Sequence, residues 1–129
     1  MVHFEENNQG GRFLVRPFTH YFLQSLYQYF ELVIFTAAMK DYADWIIDKI
    51  DKNDLISFRL YRQHTILEGG VYNKDLSKLG RCLMKTLIID NNQSNFQRQP
   101  ENGILIKNWY DDPNDIALKE LSETLIQIV

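Results

Sequence analysis

The chain has 129 residues, of which 45% are hydrophobic and 24% charged. This fits one globular domain over residues 1–129 and excludes a disordered, collagen-like or disulfide-rich chain. With 14 basic and 17 acidic residues the net charge is −3, and the basic residues form no stripe, so we expect no nucleic-acid partner. The apolar runs are far shorter than the ~18 residues of a membrane span, and we expect no membrane partner.

The N-terminus lacks the basic start and apolar core of a signal peptide. The single cysteine, Cys82, cannot form an internal disulfide and agrees with a reducing compartment, nuclear or cytoplasmic. No reactive signature surrounds this cysteine, and we interpret it as a core residue.

The first part of the chain predicts a strand, a helix and a second strand. Residues 7–11 predict a turn, and residues 12–15 a short strand leading to Pro17, which suits the first turn of a helix. Residues 32–35 are an apolar run that predicts a strand buried on both faces, as in parallel sheets. The residues between predict an amphipathic helix, because apolar side chains recur every four positions: Phe18, Phe22, Leu26 and Phe30.

A second helix is predicted from about residue 40 to residue 51. Residues 57–61 and 70–72 then predict short strands, with Gly69-Gly70 as a turn between them. The apolar side of the helix consists of Ala43, Ile46, Ile47 and Ile50.

The last part of the chain predicts two short strands and a helix. Residues 87–89 are an apolar run, a polar loop follows to Asn102, and residues 104–106 are another apolar run. Asp112 is predicted to cap the final helix, with Pro113 and Asp115 in its first turn. The inward face is expected to contain Leu118, Leu121, Leu125 and Ile128. Strands alternating with helices predict an α/β fold with a mainly parallel sheet flanked by helices.

Polar residues follow two of the predicted strands. Thr36 ends one, and Asp90 and Asn91 end the other. Because ligands bind beyond the carboxyl ends of parallel strands, these residues predict a site that offers a hydroxyl, a carboxylate and an amide. Asp90 and Asn91 could supply the oxygen ligands that magnesium prefers. The alternative is that Thr36 and Asp90 only cap the turns that follow the strands.

Three further residues carry alternative interpretations. Lys74 could hold a phosphate or be a solvated surface charge, and Arg62 could contact a phosphate or pair with an acid. Tyr42 could belong to the core or line a pocket. The sequence has no phosphate-binding Gly-x-x-x-x-Gly-Lys loop, no Gly-x-Gly-x-x-Gly, no Gly-x-Ser-x-Gly and no His-Glu-x-x-His.

A series of motifs resembles the small C-terminal-domain phosphatases, also called NLI-interacting-factor-like phosphatases, of the haloacid dehalogenase superfamily. The resemblance extends from Val2 to the last helix, and the run from Gly70 to Arg81 is its most specific part. The motifs, in chain order, are Val15-Arg16-Pro17, Val33-Ile34-Phe35-Thr36-Ala37, Tyr42-Ala43-Asp44, Gly70-Val71-Tyr72-Asn73-Lys74-Asp75-Leu76-Ser77-Lys78-Leu79-Gly80-Arg81, Ile89-Asp90-Asn91 and Trp109-Tyr110-Asp111-Asp112.

The resemblance implies a Rossmann-like fold and magnesium-dependent dephosphorylation of phosphoserine or phosphothreonine in proteins, notably the tail of RNA polymerase II, through an aspartyl-phosphate. Thr36 and Lys74 match residues that contact the transferring phosphoryl group. Asn91 matches a magnesium ligand and Asp90 the acid beside it. The substrate-contacting positions of the family are matched by Arg62 and Tyr42.

One motif of the family is missing from the sequence. Relatives carry Asp-x-Asp-x-Thr, with the nucleophile and the general acid, closely before Leu-Val-His, and here Met1-Val2-His3 stands in place of Leu-Val-His. We therefore expect a domain truncated at its N-terminus, inactive as this chain and binding magnesium weakly or not at all. The alternative is a natural non-catalytic relative that binds a phosphopeptide or another protein. A smaller departure is Asn92-Gln93, where relatives often have Ser-Pro.

The missing motif also affects the strand pairing that we expect in the sheet. In the superfamily its strand is central, between the strand ending in Thr36 and the strand ending in Asp90. Without it, we expect either that these two strands pair directly or that a strand from a second copy, such as residues 12–15, fills the gap and makes a homodimer.

Overall fold

The computed structural model describes residues 1–7 and 10–129, and the side chains outside residues 4–11. The elements of this part of the chain, in order, are β1 (Val2–Asn7), β2 (Gly10–Val15), α1 (Thr19–Leu26), β3 (Val33–Phe35), α2 (Lys40–Ile50), β4 (Phe58–Leu60), β5 (Ile66–Glu68), β6 (Val71–Asn73), β7 (Ile88–Asp90), β8 (Gly103–Leu105) and α3 (Ala117–Gln127). Short 3₁₀ turns lie at Arg62–His64, Leu76–Lys78, Leu83–Lys85, Gln93–Phe96 and Pro100–Asn102. The α/β class predicted from the sequence is confirmed.

Within the described residues the strands form four pairs. The pairs β1–β2 and β5–β6 are antiparallel, and β7–β8 is parallel with Ile89 opposite Ile104. In the pair β3–β4, the Ser57 N–H donates to the Leu32 carbonyl and the Thr36 N–H to the Leu60 carbonyl, an order that agrees with parallel strands. Strands β3 and β7 belong to different pairs, so direct pairing of the two, one of the two expected outcomes, is not found in this part of the chain, and the homodimer stays a prediction.

The chain divides into two compact units. The first unit comprises Met1–Ile34, Asp44–Arg59 and Trp109–Val129, and the second comprises Phe35–Ala43 and Leu60–Asn108. The single domain over residues 1–129 stays a prediction. In the described residues, no helix is both long and apolar enough to cross a membrane.

The first unit contains the α1–α3 packing, and its helices differ in their ends from the prediction. Helix α1 begins at Thr19, after a turn in which Phe18 has a φ of 67°, so Pro17 precedes the helix instead of opening it. The helix ends at Leu26, before Phe30. Its buried side chains are Thr19, Phe22, Leu23 and Leu26, and those of α3 are Leu118, Ser122 and Leu125.

The start of α3 corrects the predicted cap. The helix begins at Ala117, because Asp112 caps an earlier turn by accepting the Asn114 N–H at 2.9 Å. Asp115 precedes the helix instead of lying in its first turn, and it is buried and pairs with Arg16 at 2.7 Å. At the other end Ile128 is 66% exposed and does not belong to the inward face.

The second unit has a small core of Leu76, Ile88 and Phe96, with Leu79 packed against it. Phe96 lies in the segment predicted to be a polar loop, which instead contains two 3₁₀ turns. Gly103 in β8 lies directly against the Phe96 ring, and a Cβ added there would overlap it. The sequence also missed β5, which Gly69 and Gly70 join to β6 through positive φ angles of 58° and 79°.

Two burial predictions are also wrong. Strand β3 pairs only with β4 in the described residues, and its Val33 is exposed while Ile34 and Phe35 are half-buried, so this strand is not buried on both faces. Cys82 is exposed, because it precedes the surface turn Leu83–Lys85 instead of facing the core. The inward face of α2 is confirmed, with Ala43, Ile46, Ile47 and Ile50 all buried.

Candidate active site

The second unit contains all six residues that the sequence analysis selected. Four of them end a strand or directly follow one, one opens a 3₁₀ turn and one lies in α2. They are Thr36, Tyr42, Arg62, Lys74, Asp90 and Asn91.

A buried ion pair joins Lys74 and Asp90. The Lys74 Nζ donates to the Asp90 Oδ2 at 2.6 Å, and the two residues are only 8% and 7% exposed. Lys74 directly follows β6, and its backbone N–H donates to the Asn95 carbonyl at 2.8 Å. Asp90 is the last residue of β7. The interpretation of Lys74 as a solvated charge is therefore wrong, because its ammonium group is fixed at the end of a strand.

The Asp90 carboxylate has further partners in the turn that follows β7. Its Oδ1 accepts the Asn92 N–H at 3.0 Å, and the Asn95 side-chain amide donates to both carboxylate oxygens at 3.3 Å. With Lys74, these contacts occupy about the four acceptor positions that a carboxylate offers. Asp90 thus caps the turn after its strand, as one of the two interpretations predicted, and it also binds the candidate phosphate-binding cation Lys74. Its role as a magnesium ligand stays a prediction.

These contacts limit how well Asp90 and Asn91 can coordinate a magnesium ion. The ion takes near-octahedral oxygen coordination, and the carboxylate and amide of Asp90 and Asn91 have the right chemistry. Asp90 is engaged by Lys74 and its own turn, whereas Asn91 is exposed. No group of three or more His, Cys, Asp or Glu suited to a metal occurs among the described residues. The fit is partial.

The turn after β3 connects Thr36 with Arg62. The Thr36 hydroxyl accepts the Ala38 N–H at 3.1 Å, so this residue does cap the turn after its strand. Arg62 binds the same turn twice, with its Nε on the Ala37 carbonyl at 2.6 Å and its backbone N–H on the Ala38 carbonyl at 3.1 Å. The Arg62 guanidinium carbon also lies 4.8 Å from the centre of the Tyr72 ring.

Arg62 therefore bridges two parts of the site. It contacts the turn that carries Thr36, and it stacks on β6, the strand that leads directly to Lys74. A guanidinium held through Nε keeps its terminal N–H groups for other acceptors, and the exposed position of Arg62 leaves them within reach of a ligand. Tyr42 lies in α2 and is 38% exposed, and partial burial raises the pKa of its phenol.

The residue after Lys74 is held by a separate network. Asp75 accepts hydrogen bonds from the Ser77 hydroxyl at 2.7 Å, the Gln99 amide at 2.8 Å and the Ser77 N–H at 3.0 Å. The two side-chain hydrogen bonds are the main reason that the pKa of Asp75 falls to about 2. Since Asp75 is buried, this network fixes the backbone that presents Lys74.

The sequence analysis missed two residues that shape the site. Asn95 contacts both members of the ion pair, and Tyr72 supports Arg62. A signal for Asn95 exists in the polar run after Asp90, because Asn side chains often bond to nearby groups in turns. At the departure Asn92-Gln93, Asn92 caps the 3₁₀ turn Gln93–Phe96 by accepting the Ser94 N–H at 3.1 Å.

Comparison with known proteins gives one consistent result. The family model described as NLI interacting factor-like phosphatase matches residues 1–129. The chain is 40% identical over 112 residues to CTD small phosphatase-like protein 1 of Caenorhabditis elegans, covering 87% of this chain and 23% of that protein. It is 42% identical over 113 residues to CTD nuclear envelope phosphatase 1B of Danio rerio, covering 85% and 46%.

A third relative is human carboxy-terminal domain RNA polymerase II polypeptide A small phosphatase 2, 41% identical over 108 residues, with 84% of this chain and 40% of that protein covered. The chain thus spans less than half the length of these relatives. The resemblance read from the motifs is confirmed.

Proposed function

The chain belongs to the NLI interacting factor-like phosphatase family, and we propose that it is the phosphoryl-binding part of a magnesium-dependent protein serine/threonine phosphatase of the RNA polymerase II C-terminal-domain type. The observation that carries this proposal is the buried Lys74–Asp90 pair at the carboxyl end of β7, with Asn91 next to it. The substrate would be a phosphorylated protein or peptide.

Each residue has a role that follows from its contacts. Lys74 supplies a fixed positive charge for a phosphoryl oxygen, and Asp90 positions it through the 2.6 Å contact. The Asn95 amide holds the Asp90 carboxylate in turn. Phosphoryl transfer depends mainly on positioning and on stabilisation of charge, so a preorganised cation is effective. Thr36 offers a hydroxyl on the turn after β3, and Arg62, which hydrogen-bonds to that turn, offers a second cation.

Asn91 is the better candidate to hold magnesium, because it is exposed while Asp90 is already engaged. When bound, the ion would offset charge on the transferring phosphoryl group. Two protein ligands are few for Mg²⁺, which keeps its waters, so we expect weak binding at best by these residues alone.

Residues 1–129 contain no Asp-x-Asp-x-Thr motif, and thus neither the nucleophile nor the general acid of the family. We expect no turnover by this chain alone, because removing residues that act as a unit costs on the order of 10⁶ in rate. A second candidate function is binding of a phosphopeptide without hydrolysis, which the two cations Lys74 and Arg62 would support.

The test compares the 129-residue chain with the same chain extended ahead of Val2 by a strand carrying Asp-x-Asp-x-Thr. Phosphate release from an aryl phosphate with and without Mg²⁺ is measured, and binding of a phosphoserine peptide is measured by fluorescence anisotropy. We expect Mg²⁺-dependent turnover only in the extended chain, with strong impairment in K74A, N91A and T36A. The control is K52A, since Lys52 is an exposed lysine in the first unit.

Two outcomes would contradict the proposal. Steady phosphate release by the unextended chain, abolished in K74A, would show that the missing motif is not needed. A folded extended chain without turnover, but with peptide binding lost in K74A, would select the binding function instead. Equal activity of N91A in the extended chain would remove the metal assignment alone.

A further inference from the structure

The segment from residue 78 to residue 87, here called the basic turn, is charged with one sign only. It contains three cations, and no Asp or Glu occurs from residue 76 to residue 89, although the whole chain has a net charge of −3. All three cations are exposed: Lys78, Arg81 and Lys85.

The same segment displays apolar side chains to solvent. Met84 is 96% exposed, and the leucines Leu83 and Leu87 are 37% and 46% exposed. Single exposed apolar residues are ordinary on protein surfaces, but here three lie within five positions of one another among the cations. A nearly complete exposure means that Met84 projects away from the surface of the second unit.

The basic turn is held rigidly in this form. The Asn102 side chain donates to the Leu83 carbonyl at 2.6 Å and to the Thr86 carbonyl at 2.8 Å. The Thr86 hydroxyl donates to the Cys82 carbonyl at 2.8 Å. Satisfied carbonyls on both sides of Met84 keep the 3₁₀ turn Leu83–Lys85 closed, so the projecting side chain is part of the folded surface.

The position of the basic turn leaves the candidate active site accessible. The basic turn directly precedes β7, whereas Asp90 ends that strand, and three strand residues separate them by about 10 Å. A partner on the basic turn therefore meets the end of β7 opposite to Lys74 and Asp90.

We propose that the basic turn is a contact surface for a membrane that carries anionic lipids. Cations bind the negative headgroups, and a projecting apolar tip reaches the acyl boundary below them, which is the layered chemistry of such a surface. Lysine and arginine stems allow the charges to stay at headgroup level while the tip enters. This replaces the expectation of no membrane partner, which rested on the lack of a spanning segment.

The contact is weak and reversible. The charge of each lysine or arginine contributes about fivefold to affinity for an anionic surface, and the Met84 tip contributes about tenfold. We expect an affinity on the order of 10⁴ M⁻¹, the strength of a single myristoyl chain.

The test is co-sedimentation of the 129-residue chain with phosphatidylcholine vesicles, with or without 30 mol% phosphatidylserine. We expect binding only with phosphatidylserine, and weaker binding at higher salt. M84S should weaken it by about tenfold and K85E by about tenfold or more. The matched controls are I128S and K52E, because Ile128 is 66% exposed and Lys52 is exposed, both in the first unit. All variants alter exposed side chains, and circular dichroism verifies their fold.

A gain of binding provides an independent check. Glu101 precedes Asn102, the residue that clamps the basic turn, and its charge opposes an anionic surface. E101Q should strengthen binding by about fivefold. No sedimentation with either vesicle, or losses that are equal in the control variants, would overturn the proposal. Wild type that ignores vesicles but binds an acidic apolar peptide, with loss in M84S, would overturn it in favour of an acidic protein segment.

Discussion

In the described part of the chain, a buried ion pair lies in each unit, and these two pairs are built differently. Arg16 and Asp115 in the first unit meet in a fork, in which Nε and Nη2 donate to the two carboxylate oxygens at 2.7 Å and 3.3 Å. Lys74 and Asp90 in the second unit meet at one contact of 2.6 Å, and the carboxylate is shared with a polar turn.

The difference separates a structural role from a functional one. The bidentate geometry of the first pair matches two planar groups and joins a loop before α1 to the segment before α3, so it serves the packing of the two helices. The second pair holds a single-point ammonium at the end of a strand, where part of its charge can be directed to a ligand. The role of a buried ion pair therefore has to be inferred from its hydrogen-bond geometry and from the residues around it.

The largest expected effect is on the first pair. D115A leaves Arg16 buried without its main partner, which should lower the free energy of unfolding by about 3–5 kcal/mol. K74M leaves Asp90 with its Asn92 and Asn95 contacts and should cost less than half as much. Urea unfolding followed by circular dichroism measures both. Equal losses in the two variants would remove the distinction between the pairs.

A smaller effect is expected from the packing of the second unit. G103A places a methyl group against the Phe96 ring, and overpacking of this kind costs about 1–3 kcal/mol. Combining it with F96L should recover part of the loss, because the ring that obstructs the methyl is gone. Thermal unfolding of both variants checks this, and additive losses in the double variant would contradict the close approach.

The smallest effect is a pH dependence of stability from Asp75. Its pKa is about 2 in the folded chain against an ordinary 3.8, so the unfolded chain takes up this proton first as the pH falls. The contribution is complete above about pH 5 and is lost between about pH 4 and pH 2, with a magnitude on the order of 1–2 kcal/mol. D75N should flatten this part of the curve of unfolding free energy against pH. A wild-type curve that D75N leaves unchanged would show that other carboxylates cause the acid dependence.

Local patterns in the chain located most elements and all six candidate site residues. Helix α2 and its four inward residues follow from a 3.6-residue period, and the ends of β3 and β7 are visible because apolar runs stop at Thr36 and Asp90. Strand β5 was missed because its apolar run has only two residues, Ile66 and Leu67. The start of α3 was misplaced because Asp112 and Pro113 suit a turn as well as a helix cap.

Local sequence patterns could not predict which charged residues are buried and paired. Lys74 and Asp90 are 16 positions apart and Arg16 and Asp115 are 99 apart, so no short-range signal indicates that either pair forms. Burial of a charge depends on which distant residues satisfy it, and the same lysine is a solvated surface group when no carboxylate faces it. The residue types and their spacing determine which chemical groups the chain offers. Folding decides which charged groups are desolvated, because a desolvated charge needs partners that are brought from elsewhere in the chain.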